Sequence, residues 1–233
     1  MAFSKLFEAH LRHLSTIKLT TMAKVKKSII DLYMNWVLEK GGAPENVYLF
    51  AKENKMTEAE FYAEFGSIKA IEKQVFAEFF KKTLELLEAN EAYMAYQPQE
   101  KLLSFYFTFF EMLTANRSYV MAALPSDFKS LDKLEQLKTL RTHFLTYAEE
   151  IFAPQIKTDI EKLQKIKSRS FKEAAWAQLL LTMRFWMKDE SAGFEKTDIF
   201  IEKSIKATFD LVDTTPLNSV IDLGKFLFKE AMA

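Results

Sequence analysis

The sequence contains no cysteine. That excludes a disulfide framework, a thiolate metal site and a cysteine nucleophile. Glycine and proline are scarce, with 5 of each in 233 residues. This argues against a turn-rich β-sandwich and against an α/β enzyme built on a glycine-rich nucleotide loop. Long apolar runs are missing too. The most apolar stretch, from Leu102 to Phe110, is stopped by Glu111, whereas a membrane-spanning helix takes about 20 apolar residues. Net charge is zero, with 32 Lys and Arg against 32 Asp and Glu. Residues 1–22 carry charge throughout and lack the continuous apolar block of a secretory signal. The expected location is cytoplasmic, with no integral membrane segment.

Apolar residues are plentiful at 49%, and 22 of them are Phe, enough to bury a sizeable core. They recur at helical spacing. Val25, Ile29, Leu32, Tyr33, Trp36 and Val37 fall on one helical face, and Gly41-Gly42 stops that helix. Short helices are expected over 47–53 and 57–64, and a longer one, capped by Ser67, to about residue 89. Further helices are expected over 99–115 and 118–124, and from Asp127 or Ser130 to about 152. Pro154 should kink or restart the chain, giving 155–167, and Ser170 should open another helix to 188. Residues 194–212 and a last segment from Pro216 complete the set. The expected fold class is all-α.

The arrangement over 25–80 is that of a helix-turn-helix. Phe50-Ala51, Thr57, Phe61-Tyr62, Phe65 and Ser67 stand in register, and Ile71 and Phe76 continue the apolar face. This pattern resembles the DNA-binding signature of the TetR family of bacterial regulators. The resemblance implies an N-terminal three-helix domain followed by a helical-bundle domain for ligand binding and dimerisation. The boundaries expected are an extension helix over 1–23, the helix-turn-helix domain over 24–80 and the bundle over 81–233. Lys55 stands where the family usually has Gly in the turn. Ala59-Glu60 replaces the frequent Gly-Thr, and Ile68 replaces the Lys that usually follows the capping Ser.

The resemblance implies double-stranded DNA as a partner. Thr57 would cap the recognition helix, with backbone N–H groups near a phosphate. Tyr62 would lie near the DNA backbone, where its hydroxyl can bond a phosphate oxygen. Glu58 and Lys69 complete the candidate contacts within the head. Lys24, Lys26 and Lys27 form the basic arm, which can reach the minor groove. Charge runs against this in the head itself. Residues 45–72 hold three Lys and six Glu, while residues 1–30 hold six Lys and Arg and one Glu. DNA affinity rests mainly on cations neutralising phosphates. The alternative is therefore a TetR-like fold that has lost DNA binding and holds a lipid or isoprenoid.

The resemblance places the aromatic helix over 102–113 beside the effector cavity. Phe105, Phe109, Met112, Phe144, Tyr147, Trp176 and Met183 are the candidate lining for a small apolar ligand. Arg117, with Arg184, is the cation best placed to meet a ligand carboxylate. Phe128 and Phe185 belong to the same aromatic set. A homodimer through residues 170–212 is expected, formed by the two helices there. The extension carries Phe3, Leu6, Phe7, Leu11, Leu14 and Ile17 as an apolar face. It is expected to pack on the body, with a membrane surface or a presequence as alternatives. Met22 is a possible alternative start.

His10, His13 and His143 lack metal-ligand spacing, and Glu149-Glu150 point apart. With no phosphate loop, serine elbow or catalytic cluster in the sequence, no enzymatic activity, metal or cofactor is expected.

Overall fold

A computed structural model describes residues 28–124, 134–156 and 161–213. Among these residues the fold is helical throughout. The extension over 1–23, the basic arm Lys24, Lys26 and Lys27, Phe128 and the segment from Pro216 lie outside the described residues.

The head consists of α1 (Ile29–Lys40), α2 (Val47–Glu53), α3 (Glu58–Glu64) and the start of α4 (Ile68–Glu88). Each helix begins on a side-chain cap. The hydroxyl of Ser28 accepts from the Asp31 N–H, and the Asp31 carboxylate accepts from the Ser28 N–H. Asn46 caps α2 through the Leu49 N–H, and Ser67 caps α4 through the Ala70 N–H. Gly41, at φ 75°, closes α1 in the left-handed region. Phe50 and Phe61 are fully buried, and Tyr33, Val37, Val47, Ile71 and Val75 join them. Their rings meet edge to face, with Phe50 5.9 Å from Phe61 and Trp36 5.8 Å from Phe50. The Tyr33 hydroxyl donates to Glu72 Oε1 at 3.1 Å and so ties α1 to α4.

The turn between α2 and α3 contains Lys55 at φ 55°. A side chain in that region costs roughly 1–2 kcal/mol, and glycine returns about half of the relief as chain entropy. Lys55→Gly is therefore expected to stabilise the protein by about 0.5–1 kcal/mol. Urea denaturation followed by circular dichroism checks this; a destabilised variant would contradict it.

α4 belongs to both parts of the molecule. It packs on α1 in the head and, further along, on α6 (Pro98–Ala115) and α8 (Lys138–Ile156). A four-residue helix, α5 (Glu91–Met94), joins α4 to α6. α7 (Arg117–Ala123) follows and lies against α1. A 3₁₀ turn, Glu135–Leu137, leads into α8. α9 (Glu161–Lys188) and α10 (Glu195–Asp213) complete the bundle. α6 runs through its centre in contact with α4, α8 and α10. That explains why Phe105, Tyr106, Phe109 and Phe110 are buried on successive sides of one helix.

Two local expectations are corrected. α8 runs through Pro154 to Ile156, the last residue described there, and does not restart at residue 155. Ser170 does not open a helix, because α9 runs unbroken from Glu161. Contacts across the α8–α9 pair outweigh the local capping preference of serine. Phe171 stacks on Phe152 at 5.8 Å, and Ser168 and Lys172 both bond Glu149.

Candidate DNA-reading face and aromatic ligand core

The candidate recognition helix, α3, is fixed by a reciprocal cap. The Thr57 hydroxyl accepts from the Glu60 N–H at 3.1 Å, and Glu60 Oε2 accepts from the Thr57 N–H at 2.7 Å. Glu60 is thus folded back on the helix start, and Glu58 and Glu64 are the acids left on the outer face. Phe61 anchors the helix inward while Tyr62 is 53% exposed. The ring of Tyr62 packs edge-on against Phe61 at 5.4 Å, which holds it at the rim of the head. Thr57, Glu58 and Lys69 are exposed. Phe65 is half-buried, 6.4 Å from Phe61. Two exposed residues of α2 were not among the candidates. Tyr48 is 55% exposed, and Lys52 sits over its ring at 5.8 Å.

In the bundle, five of the candidate lining residues form one connected aromatic group. Phe105 is 5.4 Å from Phe109, 5.6 Å from Phe144 and 4.8 Å from Tyr147. Trp176 reaches it through Phe144 at 6.2 Å. Met183 is fully buried in the same core, and Met112 is half-buried against it. The hydroxyl of Tyr147 lies 3.0 Å from that of Tyr93 and donates to the Lys101 carbonyl at 3.1 Å. Burial pushes the Tyr147 phenol well up from its ordinary range, with the Tyr93 hydroxyl adding to the effect. It remains a neutral hydrogen-bonding group.

Arg117 does not join the aromatic group. Its guanidinium donates to the carbonyls of Trp186 at 3.1 Å and Met187 at 3.2 Å, with Asp189 O at 3.5 Å. These carbonyls lie at the C-terminal end of α9, where a helix leaves its last acceptors unpaired. The guanidinium also lies over Trp186 at 4.4 Å and Phe194 at 4.6 Å. Burial lowers its pKa, and the nearby Asp189 charge partly restores it. Phe194 is held at φ 61°, an uncommon conformation for a bulky residue, where the Arg117 contact secures it. Arg184 is exposed.

Sequence reasoning passed over the carboxylates at this joint. Asp189 is buried and accepts from the backbone and hydroxyl of both Ser191 and Thr197, at 2.6–2.9 Å. Burial alone would raise its pKa, but those four bonds outweigh it and hold the carboxyl at about 2. The Asp189-Glu190-Ser191 spacing was the available signal, because Asp commonly bonds the backbone two residues on. Asp198 is the opposite case. Burial, followed by the charges of Glu111, Glu202, Asp189 and Glu195, lifts it to about 6. Its ionised form is therefore disfavoured by folding, and stability falls as pH rises from about 4 through about 6. Asp198→Asn should melt at a higher temperature than the parent at pH 7.5 and at the same temperature near pH 3. Equal melting points at pH 7.5 would contradict this.

Among the described residues no group of three or more His, Asp or Glu is placed to hold a metal ion. Nor is any described helix long and apolar enough to cross a membrane.

The family described as the tetracyclin repressor-like C-terminal domain matches residues 101–227, more than half of the chain. The chain belongs to the TetR family. Its fold is similar to that of a TetR-family transcriptional regulator from Syntrophomonas wolfei. The TM-score is 0.57 at 13% identity, over 80% of this chain and 94% of that one. It is also similar to the fatty acid degradation regulator FadR from Bacillus halodurans, with a TM-score of 0.51 at 20% identity, over 78% and 96%. These two likenesses bear on the fold alone. No curated protein sequence matches the chain. In this TetR-family chain the family match falls within the bundle, and the head lies outside it.

Proposed function

We propose that this TetR-family protein regulates transcription as a homodimer that binds duplex DNA through α2 and α3 and responds to a small apolar ligand in the bundle. The observation that carries the reading is the head. Its recognition helix is pinned inward by Phe61 and presents Thr57, Tyr62 and the start of α4 outward. The dimer is supported by an apolar surface on the last two described helices. Leu181 is 54% exposed and Ile199 50%, and Phe185 of one helix stacks on Phe200 of the other at 4.7 Å. A ligand acts on DNA binding only if it favours one spacing of the two heads over the other.

The exposed acids Glu58 and Glu64 favour a second reading, in which the fold persists without operator contacts and the bundle holds a lipid or isoprenoid. One experiment separates the two. Fluorescence polarisation with the duplex upstream of the protein's own gene, at low salt, is expected to saturate. Tyr62→Ala should weaken binding about ten-fold through the lost phosphate bond, and Lys26→Glu should reduce the salt slope by about one or more. Absence of saturable binding at low ionic strength would leave the second reading in place. Sedimentation should give twice 27.1 kDa, and Leu181→Glu should shift it toward the monomer.

A further inference from the structure

Almost every buried polar side chain described in the bundle has a partner. Thr83 and Thr182 donate to carbonyls in their own helices, Trp186 donates to Thr114, and Tyr93 and Tyr147 share a hydrogen bond. The hydroxyl of Tyr106 is different. Its side chain is fully buried, and among the described residues its hydroxyl and Gln136 Oε1 are the buried side-chain polar atoms without a hydrogen-bond partner. Leaving such a group unpaired destabilises the folded chain substantially, so a phenol buried in the bundle without a protein partner is a donor open to an acceptor from outside the chain.

We infer that the Tyr106 hydroxyl is the hydrogen-bond donor for the ligand, and that the ligand is an uncharged amphiphile: a hydrocarbon chain bearing one ester, ketone or alcohol oxygen. This deepens the ligand half of the preceding proposal and rests on it. The rings around Tyr106 belong to Phe105 at 6.0 Å, Phe110 at 6.1 Å and Phe144 at 6.5 Å. They are apolar surfaces suited to a hydrocarbon chain. Burial raises the Tyr106 phenol far above its ordinary range, so it stays protonated and donates.

The head group is neutral because the described cation that could meet a carboxylate is already engaged elsewhere. Arg117, the cation that sequence would assign to a carboxylate, is already bonded to the end of α9 and covered by Trp186 and Phe194. A carboxylate moved beside Tyr106 would lose its hydration for one hydrogen bond, whereas an ester or alcohol gives up far less.

The test uses calorimetry on the full chain at pH 7.5 with three ten-carbon probes: methyl decanoate, 1-decanol and decanoate. The ester and the alcohol are expected to bind at least about ten-fold more tightly than decanoate. Tyr106→Phe should weaken ester binding about ten-fold with an unchanged circular dichroism spectrum. Tyr93→Phe, which removes a hydroxyl already paired within the protein, should leave ester binding as it is. Decanoate binding as tightly as the ester overturns the inference. So does ester binding that is insensitive to Tyr106→Phe, which would assign the hydroxyl to a buried water, and so does failure of all three probes to bind. DNA binding is scored on the same preparation. DNA binding without ester binding removes this inference and leaves the operator contacts standing. Ester binding that depends on Tyr106, without DNA binding, does the reverse.

Discussion

Phe61→Ala is expected to destabilise the head by about 3–5 kcal/mol, the usual cost of deleting a fully buried phenylalanine. The ring is wholly buried and touches Phe50, Tyr62 and Phe65. Removing it leaves a cavity that a seven-residue helix cannot close by shifting, because both ends are fixed. One end is held by the Thr57–Glu60 cap and the other runs directly into the Ser67 cap of α4. Tyr62 also loses the ring that holds it at the rim, so the proposed DNA binding should disappear with the fold of the head. Urea denaturation and polarisation on the same samples measure both effects. Phe65→Ala, at a half-buried position, should cost clearly less. A loss below about 1 kcal/mol for Phe61→Ala would mean that α3 is not held by that core.

The second large effect is expected at Arg117. Arg117→Ala removes two hydrogen bonds of 3.1–3.2 Å from a charged donor and a longer one to Asp189 O. It also uncovers two rings. The combined loss should be about 2–4 kcal/mol, since bonds to charged groups contribute roughly 1.5–3 kcal/mol each and are not additive. Lysine should not rescue it. An ammonium has no planar fork to reach two carbonyls while lying flat on Trp186. Thermal melts of the alanine and lysine variants, read with tryptophan fluorescence, check this. Recovery by lysine would show that charge alone, and not geometry, holds the joint. The Phe194 backbone at φ 61° should relax in both variants.

The parts legible in the sequence were those governed by neighbours in the chain. Thr57 and Glu60 are three residues apart, so a capping box could form without help from elsewhere. Ser67 and Gly41 likewise acted where local chemistry put them. The apolar spacing of Phe50, Phe61 and Ile71 translated directly into the head core. The parts that were not legible depend on distant partners. Arg117 meets acceptors about seventy positions away. Nothing local distinguishes it from a cation waiting for a ligand. Ser170 has good capping chemistry that is never used, because Phe171 is stacked on Phe152 of another helix. Glu60 counted as a charge against DNA, yet its carboxylate faces the helix start. Tyr106 looked like one aromatic among many. What sets it apart is the lack of a partner for its hydroxyl, which only the packed interior reveals.

The unbroken α9 has a mechanical consequence. At 28 residues it is a rod about 42 Å long, and its far tip is clamped by Arg117 to α7, which in turn rests on α1 of the head. Sliding the rod along its axis must either drag α7 with it or tear the clamp. A displacement of α9 deep in the bundle would therefore be passed to α1 of the head with little slack, whereas a kinked α9 would absorb it.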